Sequence, residues 1–204
     1  FISDNGYAFP RGKGTLYDSG IQTPMVIQWE GKIEPGSVYK ELVSTIDLTP
    51  TLLDIAGIKR SEEFYGQSLK PVLFDQSIQG REMVFAERNW HGWDDYIRCV
   101  RTDKYKLIFN GYYDLILGGV DGYSSPSWTE LRDLWKAGEL KPEQKQVFEF
   151  PRPRIELYDL ENDPYEVNNI ADRQEHINST VRTLYRELAK WQEETNDSPP
   201  YKRR

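Results

Sequence analysis

Asp4 and Asn5 stand side by side in Ser3-Asp4-Asn5-Gly6, directly after the apolar pair Phe1-Ile2, and Lys13 follows in Gly12-Lys13-Gly14. An acid and an amide at the end of a strand can turn two oxygens onto one hard cation, which prefers oxygen ligands. Gly6 permits the sharp turn that follows. Pro10-Arg11-Gly12-Lys13-Gly14-Thr15 then brings positive charge back towards the same place. A cation and a lysine together can hold a tetrahedral oxyanion such as sulfate or phosphate. The plain alternatives are an Asx-turn at Asp4-Asn5 and a solvated loop lysine at Lys13. Arg11 is expected to point to solvent or to the periphery of a substrate.

Such a site needs a scaffold. Residues 1–73 read as the end of an α/β unit. Phe1-Ile2-Ser3 is a strand end, and Met25–Trp29 is a second strand that starts after Pro24 and closes at Glu30-Gly31. Thr49 is the expected N-cap of a short helix with Pro50 at its first position, stopped by Gly57. Residues 74–204 read as a separate α+β subdomain. Its expected strands are Met83–Glu87, Tyr96–Arg101, Lys104–Phe109 and Ile155–Leu160, with a tight turn at Thr102-Asp103. A helix is expected between Ser125-Pro126 and Gly138. A last helix over about 173–195 carries Ile177, Val181, Leu184, Tyr185, Leu188 and Trp191 at spacings of three and four. That stripe is expected to pack on a small antiparallel sheet.

Composition narrows the classes. The chain has 204 residues with a net charge of −7, which argues against a general nucleic-acid or anionic-membrane binder. No apolar run approaches a membrane span. There is neither a signal-peptide pattern nor an initiator methionine, so a fragment or a processed chain is expected. Cys99 is the only cysteine and lies in the alternating run Ile97–Arg101. It reads as a packed thiol rather than a nucleophile.

Taken together, Ser3–Gly6, Gly12–Gly20, Thr23-Pro24, Val43–Leu53, Val100–Ile108 and Glu156–Pro164 resemble the second half of a sulfatase of the alkaline phosphatase superfamily. Phe9–Lys13, Phe85–His91, Ser125–Trp128 and Leu188–Gln192 resemble more narrowly the sulfamidase branch, the N-sulfoglucosamine sulfohydrolases. The resemblance implies an alkaline-phosphatase-like α/β tail followed by a C-terminal subdomain. It implies Asp4 and Asn5 as calcium ligands and Lys13 as the residue that contacts the sulfate. It further implies a formylglycine nucleophile on an N-terminal segment outside this chain. The partners are then that N-terminal half and a sulfated sugar or glycosaminoglycan, in a periplasmic, secreted or lysosomal setting. Cys99 does not match the nucleophile motif, so this chain alone is expected to carry only part of an active site.

Other residues have competing explanations. Asn89–Asp95 mixes tryptophans with polar groups, as sugar sites do. Arg88 and His91 are therefore candidate substrate contacts, against the alternative that Trp90 and Trp93 cover a domain seam. The Asp94-Asp95 pair reads as a turn or a solvated loop. Glu156, Asp159, Glu161 and Asp163 read as turn chemistry and hairpin ends. His176, and the basic end Lys202–Arg204, read as surface. Two other functions fit the same residues. One is a phosphodiesterase of the same superfamily, which the two histidines disfavour because two zinc ions would need more of them. The other is a non-catalytic carbohydrate-binding or interaction module.

Overall fold

The computed structural model describes residues 1–61, 63–117, 122–172 and 175–200, with the side chains of Glu175 and His176 excluded. The expectations for His176 as a surface side chain and for Lys202–Arg204 lie outside the described residues. The chain divides into two compact units, one of Phe1 with residues 26–84 and one of residues 2–25 with 85–204.

In the first unit, helix α2 (Leu48–Ile55) follows a 3-10 turn at Thr45–Asp47 and precedes helix α3 (Lys70–Phe74). The N-cap position falls at Asp47 rather than at the expected Thr49, and the Asp47 side chain organises the flanking segments instead of capping the helix amides. Asp47 is fully buried and accepts from the backbone amides of Ser44 and Gln67 at 2.9 and 2.7 Å and from the Arg81 guanidinium. A carboxylate that takes four hydrogen bonds is a stronger organiser than a threonine hydroxyl. The expected strand over Met25–Trp29 does not form. Only the isolated bridge between Ile2 and Met25 is present, and Val26 and Ile27 remain exposed. A strand needs a paired neighbour to satisfy its backbone, and local pattern cannot supply one.

The second unit is built on a four-stranded antiparallel sheet in the order β1-β2-β3-β4. The strands are β1 (Val84–Trp90), β2 (Asp94–Arg101), β3 (Tyr105–Asn110) and β4 (Ile155–Asp159). The turn at Thr102-Asp103 is present, closed by Thr102 N–H on the Tyr105 carbonyl at 2.8 Å. Ile97 faces Asn110, Cys99 faces Ile108 and Arg101 faces Lys106 across β2 and β3. In turn Ile108 faces Glu156 and Lys106 faces Tyr158 across β3 and β4.

Because side chains alternate along a strand, this register sorts the sheet into two faces. Tyr96, Arg98, Val100, Leu107, Phe109 and Leu157 form one face. Helix α6 (Glu175–Glu194) covers it, with Ile177, Leu184 and Leu188 buried as the stripe requires. Trp191 stacks on Phe85 at 5.3 Å, and Phe109 meets Tyr185 edge-on at 5.7 Å. Arg98 on this face is fully buried and holds Asp197, beyond the helix end, with two bonds of 2.6 Å.

The opposite face carries Ile97, Cys99, Ile108 and Tyr158. They form one core with Leu16 and Tyr17 from the N-terminal segment and with Trp128 of helix α4 (Pro126–Ala137). Helix α4 follows the expected pattern: Ser125 caps it through the Trp128 amide, and Gly138 ends it in the left-handed region. Two short helical turns follow, α5 (Pro142–Lys145) and a 3-10 turn at Gln146–Phe148.

Cys99 is 1% exposed and its thiol is pushed up to about 11, chiefly by burial. A thiolate is the reactive form. Thiol reagents at pH 8 are therefore expected to leave Cys99 unmodified in the folded protein and to label it once denaturant is added. Fast labelling without denaturant would show that this face of the sheet is open.

Candidate active site

The N-terminal segment folds back on itself, so that the residues just after Asp4-Asn5 meet the Lys13 loop and the helix that follows it. The Lys13 amide donates to the Tyr7 carbonyl at 2.7 Å, and the Gly6 amide donates to the Gly20 carbonyl at 2.9 Å. Glycine is required by close approach here. A Cβ on Gly12 would collide with the Tyr7 carbonyl, and one on Gly6 would collide with the Ser19 carbonyl. Helix α1 (Asp18–Ile21) closes the loop, and the Thr15 and Ser19 hydroxyls both donate to the Arg11 carbonyl, at 2.8 and 2.6 Å.

Asp4 is exposed and Asn5 is half-buried. Asn5 Nδ2 donates to the Gly6 carbonyl at 2.7 Å, which spends the donor end of the amide on backbone and leaves its oxygen end for ligation. A carboxylate and an amide oxygen are hard donors, so the pair fits calcium by chemistry. Calcium takes about six to eight oxygens, so two adjacent residues cannot complete its shell. Among the described residues no group of three or more His, Cys, Asp or Glu is arranged to hold a metal.

The loop is fastened to the sheet by buried charges. Arg11 sits at a positive φ of 62° and does not point outward as expected. Its guanidinium lies 3.9 Å from the Tyr17 ring centre and donates to the carbonyls of Tyr165 and Glu166 at 2.9 and 2.7 Å. The orphan carbonyls of that loop outcompete solvent for a fork-shaped donor. Lys106 is fully buried. Its ammonium contacts Asp18, lies 2.7 Å from Glu166 Oε1 and donates to the Leu16 carbonyl at 3.2 Å. Glu166 Oε2 accepts from the Asp18 amide at 2.6 Å. Arg101, directly across from Lys106, pairs with the same Asp18 at 3.3 Å. Two cations face to face on a sheet repel one another. Asp18 and Glu166 offset that repulsion by drawing the loop onto the sheet. Burial holds the Glu166 carboxyl above its ordinary range, and Lys106 works against that.

Several acidic expectations change. Glu156 is 5% exposed and accepts from the hydroxyls of Tyr17 and Tyr158 and from Asn110 Nδ2, so it is a core acceptor and not a turn residue. Asp95 is fully buried on β2 and takes two bonds from Arg152, at 2.8 and 3.2 Å, so it does not lie in a solvated loop. Asp94 alone is exposed. The expected aromatic loop shrinks to a turn over residues 91–93, because β1 runs on to Trp90 and β2 begins at Asp94.

His91 is half-buried on that turn, between Trp90 at 64% exposure and Trp93 at 38%. Arg88 is placed differently from an open substrate contact. It is 6% exposed, and Nη1 donates to the Gly14 carbonyl, next to Lys13. On β1 it shares a face with Ala86, which packs against the core that holds Leu16 and Tyr17.

Comparison with known proteins decides the family. The family model for N-sulphoglucosamine sulphohydrolase, C-terminal, matches residues 10–119, just over half of the chain. The chain belongs to this sulfatase family. An ulvan-active sulfatase of Formosa agariphila is 36% identical over 199 residues, which cover 94% of this chain and 32% of that protein. The N-sulphoglucosamine sulphohydrolase of Homo sapiens is 31% identical over 211 residues, covering 97% of this chain and 41% of that protein. The chain thus spans 32% and 41% of the length of these two curated relatives. The solved structure of BT4656 with its substrate D-glucosamine-2-N,6-O-disulfate superposes with a TM-score of 0.68 at 23% identity, over 98% of this chain and 34% of that one. At that identity the likeness establishes the fold.

Sequence reasoning did not single out Asp18, Arg101, Lys106, Arg152 or Glu166. One signal was available. Lys106 sits between Tyr105 and Leu107-Ile108-Phe109, and a lysine inside such an apolar strand must either face solvent or find buried partners.

Proposed function

We propose that this chain is the C-terminal part of a calcium-dependent sulfatase that acts on sulfated sugars, with N-sulfated glucosamine as the favoured substrate class. The family match over residues 10–119 supports the reading most strongly. The bond from the Lys13 amide to the carbonyl of Tyr7, two residues after Asn5, supports it geometrically. A catalytic α/β region ending near residue 73, with a C-terminal subdomain over 74–204, belongs to the same proposal. So does a nucleophile-bearing segment outside this chain.

When bound, calcium would supply positive charge to sulfate oxygens and orient the formylglycine nucleophile. Asp4 and Asn5 present two of its oxygen ligands. Lys13 brings its ammonium to the sulfuryl oxygens and stabilises the charge on the sulfuryl group in the transition state. A loop closed by its own hydroxyl-to-carbonyl bonds limits the backbone motion of Lys13, which lowers the reorganisation needed at the moment of reaction. His91, on the aromatic turn, is the proposed contact for the sugar. Arg88, buried beneath Gly14, supports the Lys13 loop from below.

The test is Asp4→Ala in the complete enzyme. Sulfate release from N-sulfoglucosamine is expected to fall by about 100-fold, with the calcium concentration for half-activation shifted upward. Unchanged turnover with an unchanged calcium requirement would reject the site.

A further inference from the structure

Lys13 lies between two glycines, and Gly14 adopts a φ of 84°. A Gly-Lys-Gly run has more backbone freedom than any other placement of a lysine. An ammonium carried on it is useful only if that freedom is removed elsewhere. Two anchors act before Gly14. The Lys13 amide is held by the Tyr7 carbonyl at 2.7 Å, and the Arg11 side chain is held by the carbonyls of residues 165 and 166. Beyond Lys13 the carbonyl of Gly14 is held by Arg88 Nη1.

Arg88 is an unusual group to use for one carbonyl. It is 6% exposed, and among the described residues its Nε and Nη2 find no hydrogen-bond partner. Its nearest carboxylate, Asp95, lies 4.0 Å away and is already engaged by both terminal nitrogens of Arg152. Burial lowers the Arg88 pKa, and the neighbouring Arg152 lowers it further against the opposing pull of Asp95. A cation held in this way costs stability. Its one close bond is charge-assisted, which makes it roughly twice as strong as a neutral one.

We infer that Arg88 is a positioning residue for Lys13: its bond to the Gly14 carbonyl fixes the second glycine hinge and so sets where the ammonium meets a sulfate group. This rests on the reading of Lys13 as the sulfate contact. It replaces direct substrate contact by Arg88 with action through the loop. Ordering of a hinge appears in function as coupling between the two residues, and double-mutant cycles measure coupling.

The experiment uses the complete enzyme with N-sulfoglucosamine as substrate and inorganic sulfate as competitive inhibitor, in Arg88→Met, Lys13→Ala and the double variant. Arg88→Met is expected to lower kcat/KM by about 10- to 100-fold, the range of a small misplacement of a reacting group. Sulfate inhibition should weaken in parallel. In the Lys13→Ala background the same change should cost less than about twofold, because no ammonium remains to be positioned. Arg88→Lys, which keeps a charged donor, should recover part of the loss and carries the same cycle if Arg88→Met does not fold. Independent, multiplicative losses in the double variant would overturn the inference while leaving Lys13 in place as sulfate contact. A Lys13→Ala enzyme with normal kcat/KM would instead overturn the underlying reading, and the role of Arg88 with it.

Discussion

Lys13→Ala in the complete enzyme is expected to reduce kcat/KM by about 100- to 1,000-fold, the usual loss when one preorganised stabiliser of transition-state charge is removed. The loss should fall mainly on kcat, because a preorganised ammonium aimed at the reacting sulfuryl group acts more strongly in the transition state than in the ground state. Lys13→Arg should restore little. A planar fork on a longer stem does not put its charge where a compact ammonium sits. The backbone anchor of the loop should persist, since the bond from the residue-13 amide to the Tyr7 carbonyl survives the substitution. Steady-state kinetics and a thermal melt on the same samples check both statements. A kcat within twofold of the parent would remove the lysine from the chemistry.

The second large effect is on stability. Lys106→Met removes the cation at the centre of the buried network and leaves Glu166, 1% exposed, facing a methyl group. Breaking a buried pair from one side costs about 3–5 kcal/mol, because the remaining charge loses its compensation. Asp18 is less affected, since Arg101 still lies 3.3 Å from it. The loss should depend on pH with a definite sign. The Glu166 pKa is already raised above its ordinary value, so the folded protein binds that proton more readily than the unfolded chain. Ionising Glu166 therefore erodes stability as pH rises from the unfolded value through the folded one. Removing Lys106 raises that pKa further. The variant should lie closest to the parent in acid, where Glu166 is protonated, and fall furthest behind at neutral pH. Denaturant unfolding of the complete protein across that range measures it. Equal midpoints for variant and parent at neutral pH would mean that the network does not hold the loop.

The legibility of this chain follows the range of the forces involved. Helix α4 was readable because its cap Ser125, its Pro126 start and its Gly138 stop act within a few residues. Helix α6 and the four strands were readable because periodicity reports which face is buried. The larger failures are at long range. Met25–Trp29 has the composition of a strand but finds only the single bridge at Ile2. Asp95 and Glu156 look like turn acids until Arg152, Tyr17 and Tyr158 are seen beside them. Arg11 looks like a surface residue until the carbonyls of residues 165 and 166 arrive from 154 and 155 positions away.

From sequence alone came the longer helices and the four strands of the sheet, the faces that become the core, and the chemical types gathered at Asp4, Asn5 and Lys13. Each of these depends on a residue and its near neighbours. Only the tertiary structure decided that the Lys13 loop lies on one face of the small sheet while helix α6 covers the other, and that Lys106, Arg101 and Glu166 fasten it there. A buried charge carries no local mark of its partner. The partner is chosen by which strands pair in which register and by which loops the chain returns to that surface, and both are properties of the whole fold.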